Sequence, residues 1–170
     1  DTTLLFNQLP AFLDVYANGF AAAAINLCIG ILYGGIAGYF GGKVDNIMMR
    51  IIDVIYSVPD LLYIILILMV FGNNVQSMLI AISITSWVQM ARQVRTQVMS
   101  LKEMEFSLAA QVIGASRKRI LFKHLIVNAL GPIIVCLTMM VPSAIFTEAF
   151  LSFIGVGLSE PKASLGVLIN

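Results

Sequence analysis

The chain has 170 residues, 59% hydrophobic and 11% charged, with a mean hydropathy of +0.95 and a net charge of +1. A soluble domain carries about 45–50% apolar and about 25% charged residues, so this composition excludes an ordinary water-soluble fold and makes bilayer the solvent for most of the chain. With no basic surface interleaved with aromatics, it offers nothing to nucleic acid.

Residues 1–19 read as an extracytoplasmic approach segment in which Leu4, Leu5, Leu9, Phe12, Leu13 and Tyr16 follow one helix face interrupted at Pro10. A stretch lying on the membrane surface and a loop packed on neighbouring spans account for it equally. The opening Asp1-Thr2-Thr3 lacks the positive start of a signal peptide and reads as a cut inside a longer protein. A span needs about 20 mostly apolar residues to cross about 30 Å of hydrocarbon. Four stretches qualify: 17–40, without charge; 51–71, interrupted by Asp53, Pro59 and Asp60; 75–91, short and carrying Ser83, Thr85, Ser86 and Trp87; and 129–150, holding Pro132, Pro142 and Glu148. The expected fold is an all-α integral membrane protein.

Alternating sides then assigns every loop. Lys43 and Arg50 lie in 41–50, and Arg92, Arg95, Lys102, Arg117, Lys118, Arg119 and Lys123 in 92–123; only Lys162 lies elsewhere. Cations concentrate in cytoplasmic loops, so 41–50 and 92–123 are cytoplasmic, while 72–74 and 151–170 are outside.

In the first span Gly30, Gly34, Gly38 and Gly42 recur every fourth residue on one helix face. Small residues let backbones approach closely where no hydrophobic force pairs helices, either within the subunit or at a subunit interface. Cys28 and Cys136 sit in apolar runs and read as packing residues. Gly42-Lys43-Val44 fails the phosphate-loop pattern at both ends, so any ATP must be bound by another chain. Glu148 is costly in hydrocarbon and should face the bundle interior or a watery path, as a pathway or gating group or as an interhelical hydrogen bond. Pro59 and Asp60 mark a kink whose freed backbone groups need partners, a second candidate place for the pathway or gate. Asp53 is expected to pair with Arg50 or reach water. His124, the single histidine, supports neither a histidine metal cluster nor a catalytic triad, and so argues against an intramembrane enzyme.

The cytoplasmic loop holds the most specific pattern. Ser100-Leu101-Lys102-Glu103 fits a capping box, predicting a helix start, and Gly114 a stop in the left-handed conformation. Phe106, Ala109, Ala110 and Ile113 share one sector of that helix, with Leu101, Met104, Leu108 and Val112 in an adjoining stripe. One face can lie on the chain's own spans while the other meets a partner, Phe106 being the aromatic anchor. Ser116 is placed to cap a second helix, whose basic face is Arg117, Lys118, Arg119 and Lys123.

Ala109-Ala110, then Gly114-Ala115-Ser116 and residues 123–130, resemble the EAA loop of bacterial ABC-importer permeases, in particular the C-type subunit of the oligopeptide, dipeptide and nickel branch. Residues 38–45, 49–53 with Pro59, and 148–157 support the resemblance, which covers about 20–166. The chain departs from the pattern at Leu108, where the namesake glutamate is usual, at Val127 in place of proline and at Leu165 in place of tryptophan. The resemblance implies a permease domain over 20–170 with a coupling loop at about 92–127. Four helices of a six-helix permease are then visible, with the final span absent. It implies a non-enzymatic transmembrane subunit that carries peptides or nickel by alternating access. Its partners would be a second homologous permease, two cytoplasmic ATPases that bind ATP and Mg, an extracytoplasmic substrate-binding protein and membrane lipid. The ATPase-docking residues would be Glu105, Phe106, Leu108, Ala109, Ala110, Ile113, Gly114, Ala115 and Ser116. A secondary transporter or channel is the competing expectation; it calls for inverted repeats with broken-helix pairs, and no internal repeat is visible.

Overall fold

The structure, a computed structural model, describes residues 23–155. The approach segment 1–19, the first residues of the predicted first span and Leu165 lie outside the described residues. Within them every regular element is helical, as expected where a bilayer offers no water to satisfy backbone N–H and C=O groups. In order these are α1 (Ala23–Phe40), α2 (Gly42–Tyr56), α3 (Asp60–Phe71), α4 (Val75–Lys102), α5 (Glu105–Val112), α6 (Arg117–Arg119), a π-helical turn (Ile120–Leu125) and α7 (Ile126–Phe153).

Among the described residues two helices are long and apolar enough by themselves to cross a membrane, Ala23–Phe40 and Arg117–Leu151, and α2 and α3 reach that together. α3 is apolar all round: Ile64 and Leu68 are buried, whereas Leu62, Leu66, Met69, Val70 and Phe71 face outward, the pattern of a helix in lipid. The break at Ser57–Pro59 is satisfied locally, since the Ser57 hydroxyl donates to the Val54 carbonyl at 2.7 Å and Leu62 N–H to the Pro59 carbonyl at 2.9 Å. Asp60, in the first turn of α3, faces the positive end of the helix dipole.

The third predicted span ends at Ala91, but α4 runs unbroken to Lys102 over 28 residues. Its length suffices to cross, while Ser83, Thr85, Ser86, Gln89 and Arg92 dilute its apolar character. The capping-box pattern at Ser100 therefore starts no helix. Ser100 lies inside α4, and the next helix begins at Glu105, with Met104 at its N-cap.

The helices group into two compact units. One contains 59–85 and 141–155, with Ile64, Leu68, Met78, Ala81 and Leu151 as its core. There Asn74 Oδ1 accepts from the Ser77 N–H at 2.8 Å and caps α4. The other contains Asn26–Val58 and Ser86–Met140. Its larger core joins Met90, Val94 and Val98 of α4 to Ile120, Leu121, Leu125, Ile126, Ala129 and Ile133; a smaller one joins Ile52 to Val88 and Ala91. This second unit holds the candidate site.

Candidate functional site

α5 is an eight-residue helix held at both ends by backbone geometry. At its N-terminus Ser107 N–H and Leu108 N–H both donate to the Met104 carbonyl, at 2.9 and 3.1 Å. At its C-terminus Gly114 takes φ +85°, and the Gly114 and Ala115 N–H groups donate to the carbonyls of Gln111 and Ala110, each at 3.0 Å. These two bonds make a Schellman motif, in which the residue after the glycine meets the helix again. Ala110 and Ala115 are correspondingly the two residues of this segment packed on the larger core.

The opposite faces of α5 are largely open among the described residues. Val112 and Ile113 are 88% and 84% exposed, and Met104, Phe106 and Leu108 are exposed as well. Ala109 and Glu105 are also at the surface. The division of faces differs from the predicted one: Ala110, grouped by the pattern with Phe106, Ala109 and Ile113, turns to the core, and the line inward runs through Ser107 and Ala110. Ser107 is fully buried, and its hydroxyl has no hydrogen-bond partner among the described residues.

Beyond the glycine, Ser116 caps α6 by accepting the Arg119 N–H at 3.4 Å. The helix then widens into the π turn, where the Ile126 N–H reaches back five residues to the Leu121 carbonyl. Asn128 Nδ2 donates to the His124 carbonyl at 2.6 Å, so His124 marks a helix made irregular at its entry into the long apolar segment. Arg117, Lys118, Arg119 and Lys123 are all exposed.

Three other cations are engaged within the chain. Arg92 donates to Asp53 Oδ1 at 2.8 Å and lies 4.7 Å over the Tyr56 ring. Arg95 holds both carboxylate oxygens of Asp45 through Nε and its terminal nitrogen. Lys102 Nζ donates to the Tyr39 carbonyl at 3.1 Å, at the C-terminal end of α1. Asp53 is thus paired with Arg92 from another helix, not with Arg50 beside it. Asp45 is only 6% exposed; it precedes the second predicted span, and Arg95 follows the third. The Arg95 guanidinium holds the Asp45 carboxyl below its usual range, against the opposing effect of burial, and Asp45 in turn raises Arg95. The contacts bring 39–53 beside 92–102, as two segments on one side of a membrane must be.

Residues 30–170 match the family described as the binding-protein-dependent transport system inner membrane component. The chain belongs to this family. It is similar to the oligopeptide transport system permease protein OppC of Bacillus subtilis (strain 168), with 49% identity over 152 residues, covering 89% of this chain and 50% of that protein. To the dipeptide transport system permease protein DppC of the same organism it is 49% identical over 152 residues, 89% of this chain and 48% of that protein. To the OppC protein of Haemophilus influenzae it is 44% identical over 152 residues, covering 89% and 49%. The chain spans about half the length of the curated relatives it matches.

In this inner membrane component the glycine row divides. A Cβ at Gly30 would strike Met90, one at Gly34 the Ala91 carbonyl, and one at Gly38 would lie 2.7 Å from the Arg95 carbonyl. These three face α4 of the same chain. Gly42 does not join them: with φ +54° it follows Gly41 at φ +62° and makes the elbow between α1 and α2. Pro59 and Asp60 stand at the start of α3, away from α5 in sequence and in the other compact unit. Glu148 falls in α7, and its side chain lies outside the described residues. Sequence reasoning missed Ser107 and the Asp45–Arg95 pair. The pair is separated by 50 residues, beyond any local spacing rule; the i, i+3 spacing of Arg92 and Arg95 was the available signal.

Proposed function

We propose that the chain is the transmembrane subunit of an ATP-driven importer that carries peptides across the bacterial cytoplasmic membrane by alternating access. It is a transport subunit, not an enzyme. The observation that carries the reading is α5, a short helix fixed to the core through Ala110 and Ala115 that presents Phe106, Leu108, Val112 and Ile113 outside the apolar spans. A patch of this kind on a hydrophilic segment marks a protein interface. The ATPase subunits dock there, with Glu105, Ala109, Gly114 and Ser116 shaping the rim and both ends of the helix. ATP and Mg are bound by those partners. A second homologous permease completes the pathway, and an extracytoplasmic binding protein delivers the ligand. Four spans of a six-helix permease are represented, with α4 as the third. The peptide cargo is supported by the names of the relatives, which are oligopeptide and dipeptide transport proteins. Glu148, with the Pro59–Asp60 break, is the candidate pathway or gate group.

The test is capture of the ATPase subunits by the full-length permease in detergent. A Phe106→Asp, Ile113→Asp double substitution alters exposed side chains and leaves Ala110, Ala115 and the Gly114 turn intact. Losing a buried interface anchor costs about 2 kcal/mol or more, so retention of the ATPases should weaken by roughly 30-fold or more, and peptide uptake should fall with it. Undiminished capture and uptake would remove α5 from the interface.

A further inference from the structure

α4 carries more than a span. Arg92, Arg95 and Lys102 fall within one sector of this helix, because steps of three and ten residues return close to the same side at about 100° per residue. Their partners, Asp53, Asp45 and the Tyr39 carbonyl, run in the opposite order along α2 and the end of α1. The result is a three-rung ladder of cations between α4 and the α1–α2 elbow.

The rungs are unlike one another. Arg92 and Asp53 are both well exposed, where an ion pair is weak. Arg95 and Asp45 form a bidentate pair whose carboxylate is buried, the strongest and most directional form of such a contact. Lys102 makes one hydrogen bond from a flexible stem to a terminal carbonyl of α1, where the helix dipole also favours a cation. Lys102 is the last residue of α4, and only Glu103 and Met104 separate it from α5. Beside it lies a cleft of about 540 Å³ lined by Tyr39, Phe40, Lys102, Leu108 and Gln111 among others. α5 thus borders open space on the side toward the end of α1.

We propose that this ladder is the joint through which movement of α5 reaches the transmembrane helices, with Asp45–Arg95 as its fixed pivot and Lys102 as the positioning residue that pulls or releases the Gly41–Gly42 elbow. The proposal rests on α5 being the ATPase-docking helix. A displacement of α5 into the cleft moves Lys102 against the carbonyl end of α1, while the bidentate pair seven residues earlier holds α4 to α2. Two consecutive glycines at positive φ let the elbow bend without side-chain obstruction. The force is delivered to α1 and α2 together, because the elbow joins them.

The experiment uses the full transporter, reconstituted with its ATPases and binding protein, and compares Lys102→Met, Lys102→Gln and Lys102→Arg with Lys118→Met on the exposed basic turn. Retention of the ATPases, ATP hydrolysis and peptide uptake are measured on each. Lys102→Met should retain the ATPases yet lower peptide taken up per ATP at least about fivefold, the low end for coupling between sites. Lys102→Arg should restore most of it, and Lys118→Met should match the unsubstituted protein. Unchanged uptake per ATP in Lys102→Met overturns the joint, as does an arginine variant no better than methionine. Failure of both neutral variants to retain the ATPases also overturns it, since transmission is not needed for docking. An unsubstituted chain that never captures an ATPase would instead sink the docking assignment itself, and the joint with it.

Discussion

Gly34→Leu is expected to prevent α1 from seating on α4 and to destabilise the subunit by about 3 kcal/mol or more, at the upper end for overpacked sites. The reason is that the first atom of any side chain at Gly34 runs into the Ala91 carbonyl and crowds the Ala91 carbonyl carbon and the Arg95 nitrogen, both at 3.0 Å. These are backbone atoms inside a continuous helix, and no rotamer change relieves them. Gly34→Ala should therefore already be costly. The neighbouring Gly35 supplies the control. A Cβ there meets the Ile126 and Leu121 methyl groups at 3.4 and 3.6 Å, ordinary contact, so Gly35→Ala should be close to neutral. Thermal denaturation of the purified permease in detergent separates the two; equal melting of Gly34→Ala and Gly35→Ala would contradict the packing described above.

Asp45→Asn should cost about 3 kcal/mol, because removing one partner of a buried pair strands the other charge. Asp53→Asn, whose partners are both exposed, should cost at most about 1 kcal/mol. The pH dependence has a definite sign. The folded pKa of Asp45 is lowered from 3.8, so the stabilisation is complete above the unfolded value and disappears as pH falls through the lower, folded one. Arg95 is raised further above its already high ordinary value by Asp45, so its side of the pair is constant at any accessible pH. The difference in melting temperature between the unsubstituted chain and Asp45→Asn should hence stay flat above pH 5 and shrink once the pH drops below about 3.8. A difference that varies between pH 5 and 8 would point to some other group.

Much of this was legible in the residues. Apolar composition and unbroken hydrophobic runs required helices, and the Gly114 stop and the Ser116 cap lie where local backbone rules put them. Those rules work because they concern neighbours along the chain. The continuation of α4 was not legible, because Arg92, Arg95 and Lys102 look like loop residues until their partners on α1 and α2 are known. For the same reason Asp53 was expected to pair with the nearby Arg50 or reach water; it does face water, but its partner is Arg92. Ser100 failed as a cap because a helix already in progress supplies its backbone with partners, leaving the capping pattern without a function. Burial of Ser107 depends on which side of α5 meets the core; the residue pattern grouped Ala110 with Phe106, Ala109 and Ile113 as the partner-facing sector, whereas Ala110 packs inward with Ala115.

The π turn at Ile120–Leu125 has a consequence for how this stretch tolerates changes in length. Leu121, Leu125, Ala129 and Ile133 are all buried and lie four apart, a row that winds by about 40° per step around an ordinary α-helix. A turn closed five residues back is wider and offsets part of that winding, so the row stays aimed at the core. Removing one residue there would let the turn close four residues back like the rest of the helix, and the apolar anchors downstream would stay close to their present side. The join between the basic segment and the last long helix is therefore the place where this helix can give up a residue, whereas a deletion farther along it would turn every later anchor by about 100°.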